Sequence, residues 1–478
     1  MISDGGLDFS DVRWYTSFQA SVVQEKYLIM KAGNHLFEQN HPDGKSEQLA
    51  NRPKLLFLAC YFPPVQAISA VRTGNMSRHL ARLGWEVTVV TPHSYVWRYA
   101  DDREKISMEL DAEGIRRILT GHRWRCLEPD HLKCWNHNLG WVAGGICRTI
   151  AQHLEIDRHI GWIKEAERAC SNLSPKDVDV ILASGSPFVA FRLARSLSDR
   201  LDRPYVLDYR DPWTEQQFAD RPPRPATVRE EASLLQSCAA VTIVSPSWGA
   251  DLDRRYGVGA KVHVVTSGYD PGEVAAIKPY DFGHCAIVYT GIFHPPKVSI
   301  SSFLAALKFL KEFPNEVNNE WYFHYYGLQE DYVRQQAAHY GLTDRVVLHG
   351  RVPRREALSA VKGANLALVI SSIFEECPLK DKGIIPGKIF EAIGLGTPVL
   401  LISPLGSDAR DLLARTGLGK SFTGAEIQGM ASFLRDVICG EAPQPKSSDI
   451  CSWTTISKNL DALLRGVVAR DRSHVYDI

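Results

Sequence analysis

Short, uninterrupted apolar runs recur along this chain, each separated from the next by a stretch of helical periodicity. Residues 55–60 (Leu-Leu-Phe-Leu-Ala-Cys) read as a strand, a helix follows around 72–83, and 85–91 is the next strand. The series continues with strands at 177–183, 205–208, 240–245 and 261–265 and helices at 187–201, 226–238 and 247–256. A second series has strands at 286–290, 321–326, 345–349, 366–370 and 398–402, with helices at 299–312, 329–340, 354–362 and 386–393. A strand that is apolar at every position is buried on both faces, which calls for a parallel sheet covered by helices. Parallel neighbours need long crossovers, and the intervening helices supply them. The pattern predicts an α/β chain of two doubly wound domains.

With 478 residues the chain exceeds one ordinary core, so two domains are the natural division. The expected boundaries are an N-terminal extension at 1–51, a first domain at 52–267 and a second at 268–450. A C-terminal helix within 451–478 is expected to cross back to the first domain. In such sheets ligands sit beyond the carboxyl ends of the strands, so the cleft between two facing domains is the expected site.

Apolar content of 45% with 23% charged residues fits a globular fold, and the formal net charge of zero removes any bulk attraction to nucleic acid. No apolar run has the length of a membrane span, and the opening residues lack a secretory pattern. Ten cysteines are scattered without a Cys-x-x-Cys pair, which points to a reducing compartment and away from structural zinc. The expectation is a cytoplasmic protein.

Residues 386–401 carry the most chemistry. Lys388 and Glu391 lie one turn apart on one helix face, followed by Gly394, Gly396, Pro398 and a buried strand. A carboxylate near the start of such a helix can accept both hydroxyls of a ribose. The helix N-terminus at Gly387 offers free N–H groups and a positive dipole end to a diphosphate. The same residues also suit an ordinary surface ion pair and a glycine-capped helix end.

The order of motifs resembles the retaining glycosyltransferases of family 4, which have the GT-B fold of two facing Rossmann-like domains. The resemblance covers roughly residues 54–470. It rests on Tyr61-Phe62-Pro63-Pro64, Arg72 and Leu83-Gly84-Trp85-Glu86-Val87 at the start, and on Asp208-Tyr209-Arg210-Asp211-Pro212-Trp213, similar to a D-x-R-D-P-W strand end of one subgroup. Asp157 and Trp162 suit that subgroup. Thr266-Ser267-Gly268-Tyr269-Asp270, Tyr289-Thr290-Gly291, Tyr326-Gly327 and His349-Gly350-Arg351-Val352-Pro353 resemble the entry and strand ends of the second domain.

The resemblance implies sugar transfer from a nucleotide-sugar to a glycan, a lipid-linked sugar or a small hydroxylated acceptor, with retention and without a bound metal or other cofactor. Glu391 would hold the ribose diol, and Lys388 and Lys297 would meet the diphosphate. Gly291 and Gly327 would leave room for the donor, and Val352 would lie beside the base. Arg72, Asp208, Arg210 and Asp211 would surround the acceptor hydroxyl and the transferred sugar, although Arg210 between two aspartates also reads as a structural ion-pair cluster. Trp213 would stack on a sugar or pack in the core.

Three departures stand out. The family's paired glutamates lie eight positions apart, but position 383 is Gly; Ile292 replaces an arginine; and Gln66, Ala67 and Ser69 stand where loop glycines are usual. They support a catalytically weak GT-B protein that binds nucleotide-sugar or a partner, and a nucleotide-sugar epimerase on the same fold is a separate alternative. The basic, aromatic stretch 115–148 (Arg116, Arg117, His122, Arg123, Trp124, Arg125, Lys133, Trp135, Trp141, Arg148) suits a peripheral membrane contact or an inserted lobe with solvated arginines.

Overall fold

The computed structural model describes residues 52–93, 103–123, 145–146, 149–151, 156–215, 222–312, 320–441, 443 and 449–476. The first lobe is built on β1 (Lys54–Ala59), β2 (Glu86–Pro92), β3 (Arg116–Thr120), β4 (Val180–Gly185), β5 (Tyr205–Tyr209), β6 (Ala240–Ile243) and β7 (Val262–Val264). The second lobe has β8 (Cys285–Thr290), β9 (Trp321–Tyr326), β10 (Val346–Leu348), β11 (Leu366–Ile370), β12 (Val399–Ile402) and β13 (Gly419–Phe422). The sheets run β3-β2-β1-β4-β5-β6-β7 and β10-β9-β8-β11-β12-β13, and their strand pairs are parallel. Both start from the doubly wound order in which the chain reverses direction beside the first strand. Residues 53–478 form one compact unit.

The apolar runs became central strands because helices cover both faces. In the first lobe Leu56, Leu58, Ile181 and Leu207 point to one core, and Leu55, Phe57, Leu182 and Val206 to the other. Two strands were invisible to that criterion. β3 (Arg-Arg-Ile-Leu-Thr) and β13 (Gly-Lys-Ser-Phe) are terminal strands of their sheets, half-exposed, and so carry polar residues. Arg116 and Arg117 of the basic stretch therefore lie on a sheet edge, where Arg117 pairs with Asp111 at 2.6 Å. Trp124, Arg125, Lys133, Trp135, Trp141 and Arg148 lie outside the described residues.

The helices that bear on the cleft are α1 (Ile68–Arg82), α2 (Pro246–Tyr256), α3 (Pro271–Ala276), α4 (Arg354–Gly363), α5 (Leu379–Lys382), α6 (Gly387–Leu395), α7 (Asp408–Thr416) and α8 (Trp453–Tyr476). The chain crosses to the second lobe near Tyr269 and returns near Ser452, and the crossings bond to each other through Tyr269 N–H to Cys451 O at 3.0 Å and Trp453 N–H to Tyr269 O at 2.9 Å. α8 then packs against the first lobe. Trp453, Ile456, Leu460, Leu464 and Val467 form an apolar stripe at helical spacing that joins Leu55, Phe57, Met76 and Trp85. Among the described residues the cysteines are free thiols, and burial pushes Cys170, Cys238, Cys285 and Cys451 up to about 11.

Candidate active site

Two cavities lie side by side between the lobes and share Ile68, Arg72, Ser267, Ile384, Gly387 and Phe390 as walls. The one toward the second lobe holds about 560 Å³ and is lined by Tyr289, Gly291, Lys388, Glu391, Arg354 and Glu273 among others. The one toward the first lobe holds about 630 Å³, and Tyr61, Gln66, Ser69, Ser186, Arg210 and Asp211 contribute to its lining.

On the second-lobe side α6 sets the geometry. Pro386 precedes its first turn, so the helix starts at Gly387 with its N-terminus at the partition between the cavities. The Lys388 ammonium lies 3.7 Å from the centre of the Tyr289 ring, a cation–π contact that partly replaces water. Burial lowers the Lys388 pKa to about 7, opposed by the nearby Glu391. Gly291 has φ +119°, and a Cβ there would come within 3.1 Å of the Lys388 nitrogen, so glycine is what lets this lysine pass. Glu391 accepts from Arg354 Nη1 at 2.5 Å through Oε1, while its Oε2 has no hydrogen-bond partner among the described residues.

The remaining second-lobe candidates sit apart from both cavities. Lys297 pairs with Asp381 at 2.6 Å. The space beside Gly327 is filled by the protein itself: a Cβ would meet Gly291 O at 2.2 Å and the Tyr325 hydroxyl at 2.3 Å. Val352 packs against the core formed by Leu358, Val361 and Phe390.

On the first-lobe side the four charged candidates divide into two pairs. Asp208 is fully buried at the end of β5 and accepts from Arg72 Nη2 at 2.7 Å, Arg72 Nε at 3.2 Å, Ser184 at 2.7 Å and Thr242 at 2.8 Å. Burial pushes the Asp208 carboxyl up, but Arg72 and the two hydroxyls outweigh it and hold it below the usual range. Arg72 spends its other donors on Val265 O, Thr266 O and Ser267 Oγ, at 2.9, 2.9 and 3.4 Å. This pair pins the segment that leads into the second lobe. Arg210 and Asp211 differ: the Arg210 Nε is buried without a hydrogen-bond partner among the described residues, and both residues line the first-lobe cavity. Burial lowers the Arg210 pKa against the pull of Asp211, and burial raises the Asp211 carboxyl against the pull of Arg210. Trp213 is core, stacked on Phe188 with ring centroids 5.1 Å apart. Trp162 is buried too and donates to Thr120 at 2.9 Å.

Residues 69–268, which supply Arg72, Asp208, Arg210 and Asp211, match the family model described as a glycosyl transferase 4-like domain. The first lobe is a glycosyl transferase 4-like domain. Among solved structures the chain is similar to sucrose-phosphate synthase from Thermosynechococcus elongatus, at 14% identity and TM-score 0.54, over 89% of this chain and 98% of that one. It is also similar to HepE of Anabaena in complex with UDP and glucose, at 13% identity and TM-score 0.51, over 89% and 100% of the two chains. A third is the lipopolysaccharide outer core galactosyltransferase WaaB in its apo form, at 12% identity and TM-score 0.51, over 86% and 99%. At such identities the likeness is one of fold, the GT-B arrangement of two parallel sheets. No curated protein matches the sequence. With that domain on that architecture, the chain is a glycosyltransferase.

The departures of this glycosyltransferase from the family pattern have structural counterparts. A Cβ on Gly383 would lie 2.5 Å from both Ser245 Oγ and Trp248 Cδ1 of the first lobe, so a glutamate there cannot coexist with this interlobe packing. Trp248 also donates to Lys380 O at 2.7 Å. Gln66, in the loop that lacks glycines, accepts from Arg351 of the second lobe at 2.8 Å. Ser247 donates to Asp408 twice across the lobes, through its backbone N–H at 2.9 Å and its hydroxyl at 2.6 Å.

Sequence reasoning missed Arg354, Glu273, Tyr289 and Asp408. Arg354 meets Glu391 and Glu273 over separations of 37 and 81 positions, so no local spacing announces it.

Proposed function

We propose that this glycosyltransferase moves a sugar from a nucleotide-sugar donor held in the second-lobe cavity to a hydroxylated acceptor held in the first-lobe cavity. One observation carries the reading: Lys388 and Glu391 of a single helix turn face one cavity, while Arg210 and Asp211 face its neighbour across a shared wall. A nucleoside diphosphate fits the first pair, with Glu391 Oε2 accepting from the ribose and Lys388 beside the phosphates. Charge that builds on the departing diphosphate meets Lys388 and the N–H groups at the start of α6.

Arg210 and Asp211 offer a donor and an acceptor to an uncharged hydroxyl. Asp211, raised by burial, is suited to take a hydrogen bond from the attacking O–H. Front-face attack, with the departing phosphate receiving the proton, would preserve anomeric configuration and asks little of a protein base. Lys297, Gly327 and Val352 would act indirectly, by shaping the walls around the donor. The acceptor class extends to glycans, lipid-linked sugars and small molecules; a lipid-linked acceptor would place the enzyme at a membrane surface from the cytoplasmic side.

A thermal-shift screen of nucleoside diphosphates and their sugars tests the reading, with UDP first because HepE was solved with it. Product analysis with the stabilising donor then separates transfer from epimerisation. Stabilisation by a nucleotide-sugar with sugar appearing on an added acceptor is expected. A donor converted to its epimer, or bound without any transfer, would overturn it.

A further inference from the structure

Glu391 does not stand alone in the donor cavity. Its Oε1 accepts from Arg354 Nη1 at 2.5 Å, and the rest of that guanidinium forks onto Glu273, Nε to Oε1 at 2.9 Å and Nη2 to Oε2 at 3.1 Å. Glu273 is itself fixed. It lies in the first turn of α3, whose N-cap Asp270 accepts the Glu273 N–H at 2.8 Å and meets His79 of α1 at 3.0 Å. Lys362 ties the far end of α3 through Val274 O and Ile277 O at 3.0 and 2.8 Å. The path from His79 through Asp270, Glu273 and Arg354 to Glu391 is continuous, and it begins in the first lobe.

We infer that Arg354, braced by Glu273, is a positioning residue that sets ribose recognition by pointing the second oxygen of Glu391 into the donor cavity. The inference rests on the reading of Glu391 as the ribose ligand. A glutamate on a half-exposed helix face has three rotatable bonds, and ordering it on binding costs affinity. Arg354 removes much of that cost in advance. The bidentate fork to Glu273 has a second consequence: flanked by two carboxylates, Arg354 is not free to turn toward phosphate. Burial works against its charge, but Glu391 and Glu273 outweigh burial and raise its pKa. Its effect should therefore be confined to the ribose hydroxyls and leave the diphosphate contribution alone.

Calorimetry on the full chain tests this with UDP, ADP and GDP, each beside its 2′,3′-dideoxy counterpart. Wild type is expected to favour the best ribonucleotide over its dideoxy form by about tenfold, the size of a hydrogen bond to a charged group. Glu391→Gln should collapse that ratio. Arg354→Gln should collapse it too, with affinity for the dideoxy ligand unchanged, and Glu273→Gln should shift it in the same direction. Arg354→Lys keeps a charge but not the fork, and is expected to restore the ratio only in part. In the double variant Arg354→Gln/Glu391→Gln the ratio should be no lower than in Glu391→Gln alone. An Arg354→Gln protein that keeps the wild-type ratio, or loses affinity for both ligands equally, would overturn the inference while Glu391 keeps its role. A wild type that binds none of the three, or a Glu391→Gln protein that retains the ratio, would instead remove the reading beneath it.

Discussion

Lys388 is a lysine whose charge depends on what shares its cavity. With a pKa near 7 it is half neutral in the free protein at neutral pH. A diphosphate beside it favours the charged form, so binding draws in a proton. The sign follows from linkage: the bound state holds more protons above pH 7, so affinity falls as pH rises through that region. Working above pH 7 also keeps the terminal phosphate ionised, with its second pKa of about 6. Calorimetry between pH 7 and 9, in buffers of different ionisation enthalpy, should show affinity dropping by up to about tenfold per pH unit together with proton uptake. A flat profile would mean that this ammonium does not meet the ligand. Lys388→Met should lose nucleotide binding and raise Tm by a few degrees at pH 7, since the unfolded chain then no longer gains by protonating a lysine that the fold keeps dry.

The two aspartates of the D-x-R-D-P-W strand end give a second contrast at this scale. Asp208→Ala leaves the Arg72 guanidinium buried without its carboxylate, and is expected to cost about 3–5 kcal/mol in denaturant unfolding. Asp211→Asn keeps the shape of the side chain but removes the carboxylate that pulls on Arg210, so it should cost less than Asp208→Ala and act mainly by reducing transfer. If both changes act alike on stability, the division between a pinning pair and a cavity pair is wrong.

Among the elements, the start of α2 is held from across the cleft. α2 begins with Pro246 and finds no side-chain cap in its own Ser245. Asp408, in the first turn of α7 in the other lobe, takes the Ser247 N–H. A helix N-terminus left without such a partner exposes unpaired donors, so Asp408 acts as a cap supplied across the lobes. Asp408→Ala should cost about 0.5–2 kcal/mol and loosen the closed arrangement, read as a larger radius of gyration in small-angle scattering. An unchanged radius would make the contact incidental.

The sequence showed α6, its two charged residues and the strands that frame them, because each is encoded over a few adjacent positions. β3 and β13 escaped because an edge strand does not need two apolar faces. The tasks of Asp208 and Arg210 could not be told apart from a motif that places both at one strand end. What separates them is that Ser184, Thr242 and Arg72 converge on Asp208 from three other elements, while the Arg210 Nε finds no hydrogen-bond partner among the described residues. Arg354 and Asp408 have partners dozens of positions away, and only the packed chain brings them together.

For the molecule as a whole, the double crossing between lobes makes α8 part of the first lobe's core. Leu464 is fully buried in the cluster of Phe57, Leu80 and Trp85, and the Trp85 Nε1 donates to Asp461 at 2.6 Å. Leu464→Ala should cost about 2–5 kcal/mol in denaturant unfolding. A smaller loss would mean that α8 does not complete that core.

The account of the molecule turns on the donor cavity, and calorimetry of the best-bound nucleoside diphosphate against wild type, Glu391→Ala and Asp211→Asn tests it most directly. Glu391→Ala should weaken binding by about tenfold or more, and Asp211→Asn should leave it at the wild-type value because that residue serves the neighbouring cavity. Undiminished binding to Glu391→Ala, or equal weakening in both variants, would contradict the assignment of the two cavities to donor and acceptor.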